Sequence, residues 1–293
     1  MNERLNWERD GKDWPNRAFS RFVAADGLRW HVQTMGSGPA VLLIHGTGAS
    51  GHSFRALAPL LAPYFTVIVP DLPGHGFTAE PATASGYALQ GVARGLAALL
   101  HVLDLRPVLA VGHSAGAAIA VRMALDSTIA PSAVVGLNGA LLPFPGMANA
   151  FFGPAARFLA SSSLTAKLFT LFAGSRPSAE RLVGSTGSRI GDEGMRLYAR
   201  LIANEGHVRG ALGLMANWDL HPLARDLPHL RQRLILVTGS RDSMVPPSES
   251  YRVRSLVPGA ELVSLRGLGH LAHEEKPADI ASVLLEASGH DGS

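Results

Sequence analysis

The sequence predicts an α/β fold: a mostly parallel central sheet with helices on both faces and an inserted helical lid. Three observations carry this. Short apolar runs alternate with helical periodicity from residue 39 to 138 and again from 233 to 287, as in strand–helix–strand units whose strands are covered on both faces. The alternation stops between residues 140 and 230, where Pro143, Pro145, Pro154 and Pro177 punctuate helices and loops. A serine flanked by glycines, Gly112-His113-Ser114-Ala115-Gly116, stands where a strand runs into a helix.

The elements follow in order. SRFVAADGLRWHVQT (20–34) reads as two strands around Asp26-Gly27, a hairpin signal. Pro39–Ile44 is a continuous apolar strand, HSFRALAPLLA (52–62) has helical spacing, and FTVIVP (65–70) is strand again. A long helix is predicted over 88–105, a strand over 107–112, a helix over 115–126 and a strand over 132–138. After the insertion come a strand over 233–239, a helix over 247–257, a strand over 261–265 and a last helix from about 273 to 287. The predicted division is a core of 1–139 and 231–293, with residues 140–230 as a lid over the C-terminal edge of the sheet.

A chain of 293 residues, 47% apolar and 17% charged, can bury a sizeable core. Its formal charge of +3, without a Lys/Arg cluster, argues against nucleic acid as a partner. With no cysteine, neither a disulfide framework nor a thiolate nucleophile is available. The first residues, MNERLNWERDGKDWPNRAF, are polar and lack an apolar stretch behind a basic start, so no secretion is expected. No apolar run reaches the ~18 residues of a membrane span, and a cytoplasmic location is the expectation.

The chemistry centres on Ser114. A nucleophile on a sharp strand-to-helix turn needs small residues two positions away on either side, and here both are glycine. The turn lifts the hydroxyl towards a helix N-terminus, which favours developing negative charge. The bland alternative is a serine N-cap in a glycine turn. A serine also needs a base, and the base an acid to orient it. Asp242, in GSRDSMVP after one late strand, and His270, in RGLGHLAHEE after the next, supply them in the order Ser, Asp, His. His273 competes as base, but its position predicts the first turn of the last helix, where it packs or caps. Asp71, in VPDLPGHG, competes as acid, with loop structure its better explanation. Oxyanion donors are expected from the N–H groups of Thr47, in His45-Gly46-Thr47-Gly48, and of Ala115.

Together LLIHGTG, VPDLPGHG, VGHSAG, GSRD and GLGHLAHEE resemble the α/β-hydrolase superfamily in order and spacing across residues 20–290. The resemblance implies nucleophile Ser114, acid Asp242, base His270 and oxyanion donors Thr47 and Ala115. A serine rather than an aspartate at the elbow speaks against the dehalogenase and epoxide-hydrolase branches. The opening WERDGKDWPNR, with Trp7, Trp14 and Pro15, and the following LRWHVQTMGSGPAVLLIHGTGAS are similar to the magnesium-chelatase accessory family of bacteriochlorophyll biosynthesis (BchO type). That likeness implies a role around magnesium insertion into protoporphyrin IX and association with chelatase subunits. It does not define a reaction.

Six of the 11 phenylalanines, Phe144, Phe151, Phe152, Phe158, Phe169 and Phe172, fall between residues 141 and 172, where the only charges are Arg157 and Lys167. Most such side chains form lid core. A small lid has little interior, so Phe144, Phe151, Phe152 and Phe158 are expected to roof a pocket for a lipophilic ligand such as a tetrapyrrole. The same helices could rest on the photosynthetic membrane, with Arg157, Lys167, Arg176 and Arg181 meeting anionic headgroups. His207 and His221 are available to ligate a porphyrin magnesium, although a lone histidine is more often a surface or capping residue. Serine chemistry itself requires no metal or organic cofactor. Three readings stay open: a serine hydrolase acting on a tetrapyrrole, a non-catalytic tetrapyrrole-binding accessory protein, and a generic carboxylesterase for lipophilic esters.

Overall fold

Asp26 and Gly27 both take positive φ, 48° and 72°, the backbone a two-residue hairpin needs to match the right-handed twist of its strands. They join β1 (Ser20–Ala25) to β2 (Leu28–Met35), paired antiparallel from Ser20↔Gln33 to Ala25↔Leu28. A computed structural model describes residues 4–143, 165–167, 170 and 175–289. The remaining strands are β3 (Ala40–Ile44), β4 (Thr66–Pro70), β5 (Pro107–His113), β6 (Ala133–Leu137), β7 (Arg233–Gly239) and β8 (Glu261–Leu265). They form one sheet in the order β1-β2-β4-β3-β5-β6-β7-β8. β2 meets β4 antiparallel, and every pair from β4 to β8 is parallel.

The continuous apolar runs of the inner strands have a direct cause. Leu42, Ile44, Ile68, Ala110, Val134 and Leu236 point to one face of the sheet and pack against α3 (Leu89–Leu103) and α4 (Ala115–Leu125). Val41, Leu43, Val67, Val111, Val135 and Val237 point to the other, against α2 (Leu57–Leu61) and the C-terminal helix. Alternate residues therefore face two different cores, so neither face can be polar. Burying each such Val, Leu or Ile contributes roughly 1.5–3 kcal/mol.

Two predicted helices are shorter than their periodicity. Residues 52–62 divide into a 3-10 turn, Gly51–Phe54, and α2. The last helix begins as the short Ala272–Glu275 and breaks at Lys276 (φ −140°, ψ 67°), because Pro277 excludes the helical conformation from the residue before it. Pro277–Ala287 then forms the C-terminal helix.

Between β6 and β7 the described chain is helical: α5 (Arg176–Ser185), α6 (Asp192–Ile202), α7 (Glu205–Ala216) and α8 (His221–Asp226). Helices α5 and α6 bury Ala179, Val183, Met195, Tyr198 and Ile202 against Ala49 and Leu271 of the core loops. The N-terminal segment straps α6 and α7 down. Trp14 packs with Phe77, Leu197 and Leu201. The Arg4 guanidinium donates to Glu80, to the Thr78 carbonyl and to the Gly206 carbonyl on α7.

Candidate active site

Strand β5 ends at His113 and α4 begins at Ala115, so Ser114 carries the whole change of direction, at φ 53° and ψ −116°. A non-glycine residue held there stores on the order of 1–3 kcal/mol of backbone strain. Neighbouring backbone holds it. The Ser114 N–H donates to the Leu137 carbonyl at 3.0 Å, and its carbonyl accepts from Ala117 and Ala140, both at 3.1 Å. A Cβ on Gly112 would lie 2.2 Å from the Gly116 carbonyl, and one on Gly116 would lie 2.2 Å from the Ile44 carbonyl. Both flanking glycines are therefore steric requirements of the corner.

Asp242 and His270 emerge from the loops after β7 and β8 and meet in a hydrogen bond, Nδ1 to Oδ2 at 2.9 Å. The Asp242 carboxylate is buried and saturated. Oδ1 accepts the Met244 and Val245 N–H groups at 2.8 and 2.9 Å, and Oδ2 also accepts the Asn138 side-chain amide at 2.7 Å. A carboxylate that only accepts places the His270 proton on Nδ1 and leaves Nε2 as a lone-pair base. Three contacts hold the His270 backbone and ring. The His270 N–H donates to the Thr186 carbonyl at 3.2 Å, its carbonyl accepts from His113 Nε2 at 2.9 Å, and the His113 ring lies 4.7 Å from its own. Burial, with His273 and His270 nearby, pushes the His113 imidazolium far down, so His113 is a neutral donor.

The two competing residues lie elsewhere. His273 is fully buried between His113 (4.4 Å) and Phe54 (5.0 Å), with no hydrogen-bond partner for either ring nitrogen among the described residues. Burial, then the His270 and Arg55 charges, lower its pKa to about 3. It packs and caps nothing. Asp71 is fully buried and ties loops together. Its carboxylate accepts from Gly51 N–H (2.7 Å), Phe77 N–H (2.9 Å) and His31 Nδ1 (2.8 Å). Burial pushes its carboxyl up, but His31, His45 and the Phe77 N–H outweigh that and hold it below the usual carboxylate range.

The His45–Gly48 loop lies directly on the elbow: a Cβ on Gly46 would sit 3.0 Å from Ser114 Cβ. His45 fixes the loop's entry, with Nδ1 donating to the Gly46 carbonyl (2.8 Å) and Nε2 accepting from the Leu72 N–H (2.9 Å). The N–H groups of Thr47 and Ala115 have no acceptor among the described residues. Two unpaired donors beside a serine hydroxyl suit an oxyanion.

Sequence reasoning missed Asn138 and Thr186. Asn138 follows β6 at φ 49°, and the Asn-Gly pair after an apolar strand was its only local signal. Thr186 lies 84 residues from His270 in a stretch with no motif. Phe144, Phe151, Phe152, Phe158, Phe169, Phe172 and Arg157 lie outside the described residues. Of the cations assigned to headgroups, Lys167 is exposed, Arg176 pairs with Glu180 and Asp192, and Arg181 donates to Pro177 and Ser178. His221 is exposed beside Asp219. His207, expected as a surface or capping residue or a magnesium ligand, is instead buried with both ring nitrogens bonded to backbone, so neither is free for a metal. Among the described residues, no three His, Asp or Glu side chains converge on a metal site. None of the described helices is long and apolar enough to cross a membrane.

A parallel-sheet core with a serine elbow and a carboxylate–histidine pair on the following strand-end loops defines a class. The chain belongs to the α/β-hydrolase fold family, whose model matches residues 39–277. Within that family it is similar to the magnesium-chelatase 30 kDa subunit of Rhodobacter capsulatus, at 39% identity over 94% of this chain and 96% of that one. It is also similar, at 27% identity over 85% of this chain and 96% of that one, to a pimeloyl-[acyl-carrier protein] methyl ester esterase of Xanthomonas oryzae pv. oryzae. Among solved structures, a serine hydrolase of carbazole degradation superposes with a TM-score of 0.75 at 22% identity, covering 93% of this chain and 99% of that one. The epoxide hydrolase CorEH does so with 0.76 at 22%, covering 92% and 98%. At that identity the two show the fold alone.

Proposed function

We propose that the chain is a serine hydrolase of the magnesium-chelatase accessory type, acting in bacteriochlorophyll biosynthesis on an ester of a lipophilic tetrapyrrole. The observation that supports this best is the strained Ser114 elbow, whose neighbour His113 bonds the His270 carbonyl, together with the bonded Asp242–His270 pair. In this reading His270 Nε2 takes the Ser114 proton as Oγ attacks the ester carbonyl carbon. The Thr47 and Ala115 N–H groups bind the oxyanion. The tetrahedral intermediate collapses, the alcohol leaves with the proton from His270, and an acyl-enzyme remains. Water, deprotonated by His270, attacks the acyl carbon; collapse returns the proton to Ser114 and releases the acid. Residues 140–230 act as the cap, with Phe144, Phe151, Phe152 and Phe158 contacting the ligand. The protein works in the cytoplasm, at the periphery of the photosynthetic membrane and in association with chelatase subunits.

A second reading, favoured by the 39% identity to a chelatase subunit, is a tetrapyrrole-binding accessory protein that needs no turnover. The likeness to a methyl ester esterase supports a third, a general carboxylesterase for lipophilic esters. A fluorophosphonate probe separates them first. Stoichiometric labelling, lost in Ser114→Ala and His270→Ala, is expected for the hydrolase. An unlabelled, folded wild-type protein that binds porphyrin at micromolar concentration shifts the role to binding. Labelling without porphyrin binding favours the general esterase.

A further inference from the structure

Helix α7 carries one side chain into the oxyanion loop. His207 is 2% exposed, and both its ring nitrogens meet backbone. Nδ1 accepts the Gly76 N–H at 3.0 Å, so the proton sits on Nε2, which donates to the Gly48 carbonyl at 3.1 Å. Gly48 follows Thr47 and has φ 76°, and its carbonyl leaves the turn closed by the Ala49 N–H on the Gly46 carbonyl (3.2 Å). The imidazole thus bridges the loop after β3 and the loop after β4.

The helix holding it has no freedom to drift. A Cβ on Gly210 would lie 2.0 Å from the Gly74 carbonyl, so α7 and the Pro73–Gly76 loop touch backbone to backbone. A Cβ on Gly213 would lie 3.0 Å from the Tyr87 ring. The environment also keeps the ring neutral. Burial lowers its pKa to about 4 against the Gly48 bond, with His45 and Arg4 lowering it further and Asp71 opposing them. His75, 5.3 Å away ring to ring, is itself neutral through burial. A neutral His207 keeps the acceptor that Gly76 requires.

We infer that His207 is a positioning residue of the oxyanion hole: by holding the Gly48 carbonyl it aims the Thr47 N–H at the carbonyl oxygen of an ester bound to Ser114. The catalytic part of this rests on the hydrolase reading; the placement of the loop does not. Helix α7 is then a working part of the site, although it carries no reacting group.

The test compares wild type with His207→Gln, His207→Asn and His207→Leu, each checked for folding by circular dichroism. A Gln amide reaches the Nε2 position and keeps the Gly48 bond; an Asn side chain reaches only the Nδ1 position; Leu keeps neither. Amide hydrogen exchange in the peptide 45–51 is the first readout and needs no turnover. Exchange about five- to tenfold faster in the Asn and Leu variants, and near wild type in Gln, is expected. Unchanged exchange in a folded Leu variant, or equal exchange in Gln and Asn, overturns the inference. The second readout is p-nitrophenyl butyrate hydrolysis, with kcat expected to fall about ten- to a hundredfold in Asn and Leu while KM holds. If wild type neither hydrolyses this ester nor takes the fluorophosphonate, while the exchange pattern appears, the hydrolase reading falls and the loop-positioning role stands. If wild type is active and the exchange is flat, the reverse holds.

Discussion

Asn138 donates its side-chain amide to Asp242 Oδ2 at 2.7 Å, the same oxygen that takes His270 Nδ1 at 2.9 Å. An uncharged donor just after β6 therefore shares the carboxylate oxygen with the base. It steadies the acid without competing for charge.

Replacing Asn138 by Asp inserts a second carboxylate at this point. Two carboxylates at hydrogen-bond distance repel, and a proton placed between them draws Asp242 Oδ2 away from His270 Nδ1. The fluorophosphonate labelling rate is expected to fall about tenfold or more. A rate equal to wild type's would show that the oxygen is not shared in solution.

Gly116→Ala tests the elbow's sterics. The added methyl meets the Ile44 carbonyl at 2.2 Å and the His45 carbonyl at 2.8 Å, both backbone atoms of β3 and its loop. A loss of roughly 3 kcal/mol or more is expected, read by urea titration. Gly184→Ala, where nothing among the described residues lies within 4 Å, is the control and should be neutral or slightly stabilising.

His273 and His207 make the fold acid-sensitive. Their folded pKa values, about 3 and about 4, lie below the ordinary 6.5, so the unfolded chain takes protons first as pH falls. Stability is then fully present above pH ~6.5 and declines on acidification by about 1.4 kcal/mol per pH unit for each ring, down to its folded pKa. His273→Leu also removes two nitrogens that have no hydrogen-bond partner among the described residues. It should flatten the stability profile between pH 6.5 and 4 by one ring's share while leaving Tm at pH 8 equal or higher. A profile as steep as wild type's would refute the assignment.

The N-terminal strap holds by packing more than by charge. Trp14 is 3% exposed and meets Phe77 edge-on at 4.9 Å, so Trp14→Ala should lose about 3–5 kcal/mol. Asp13 pairs with Arg196 and Arg200 but is 46% exposed, and Asp13→Ala should lose under about 1 kcal/mol. Chemical denaturation of both variants reads the contrast.

Much of this was legible in the residues. Strands β7 and β8 have the predicted limits, although only β7 is buried along its length and β8, at the sheet edge, is half-exposed. The Asp26-Gly27 hairpin and the glycines around Ser114 are local backbone demands, and local demands leave sequence signatures. The Lys276 break was equally local: Pro277 announced it, and the apolar periodicity on either side masked it.

What the sequence by itself determined is the alternation of strands and helices in the core and the strand ends that offer a serine, an acid and a histidine. What tertiary structure alone decided is which groups meet. Periodicity shows that a strand is buried but not its neighbour, so the placement of β4 between β2 and β3 was not visible. Neither were the Asn138 amide on Asp242, 104 residues apart, and the His207 ring on Gly48, 159 residues apart. Such bonds are one donor and one acceptor each, and nearly every residue carries both on its backbone. Their partners are chosen by the packing that brings distant backbone within 3 Å, and no spacing in the chain records that choice.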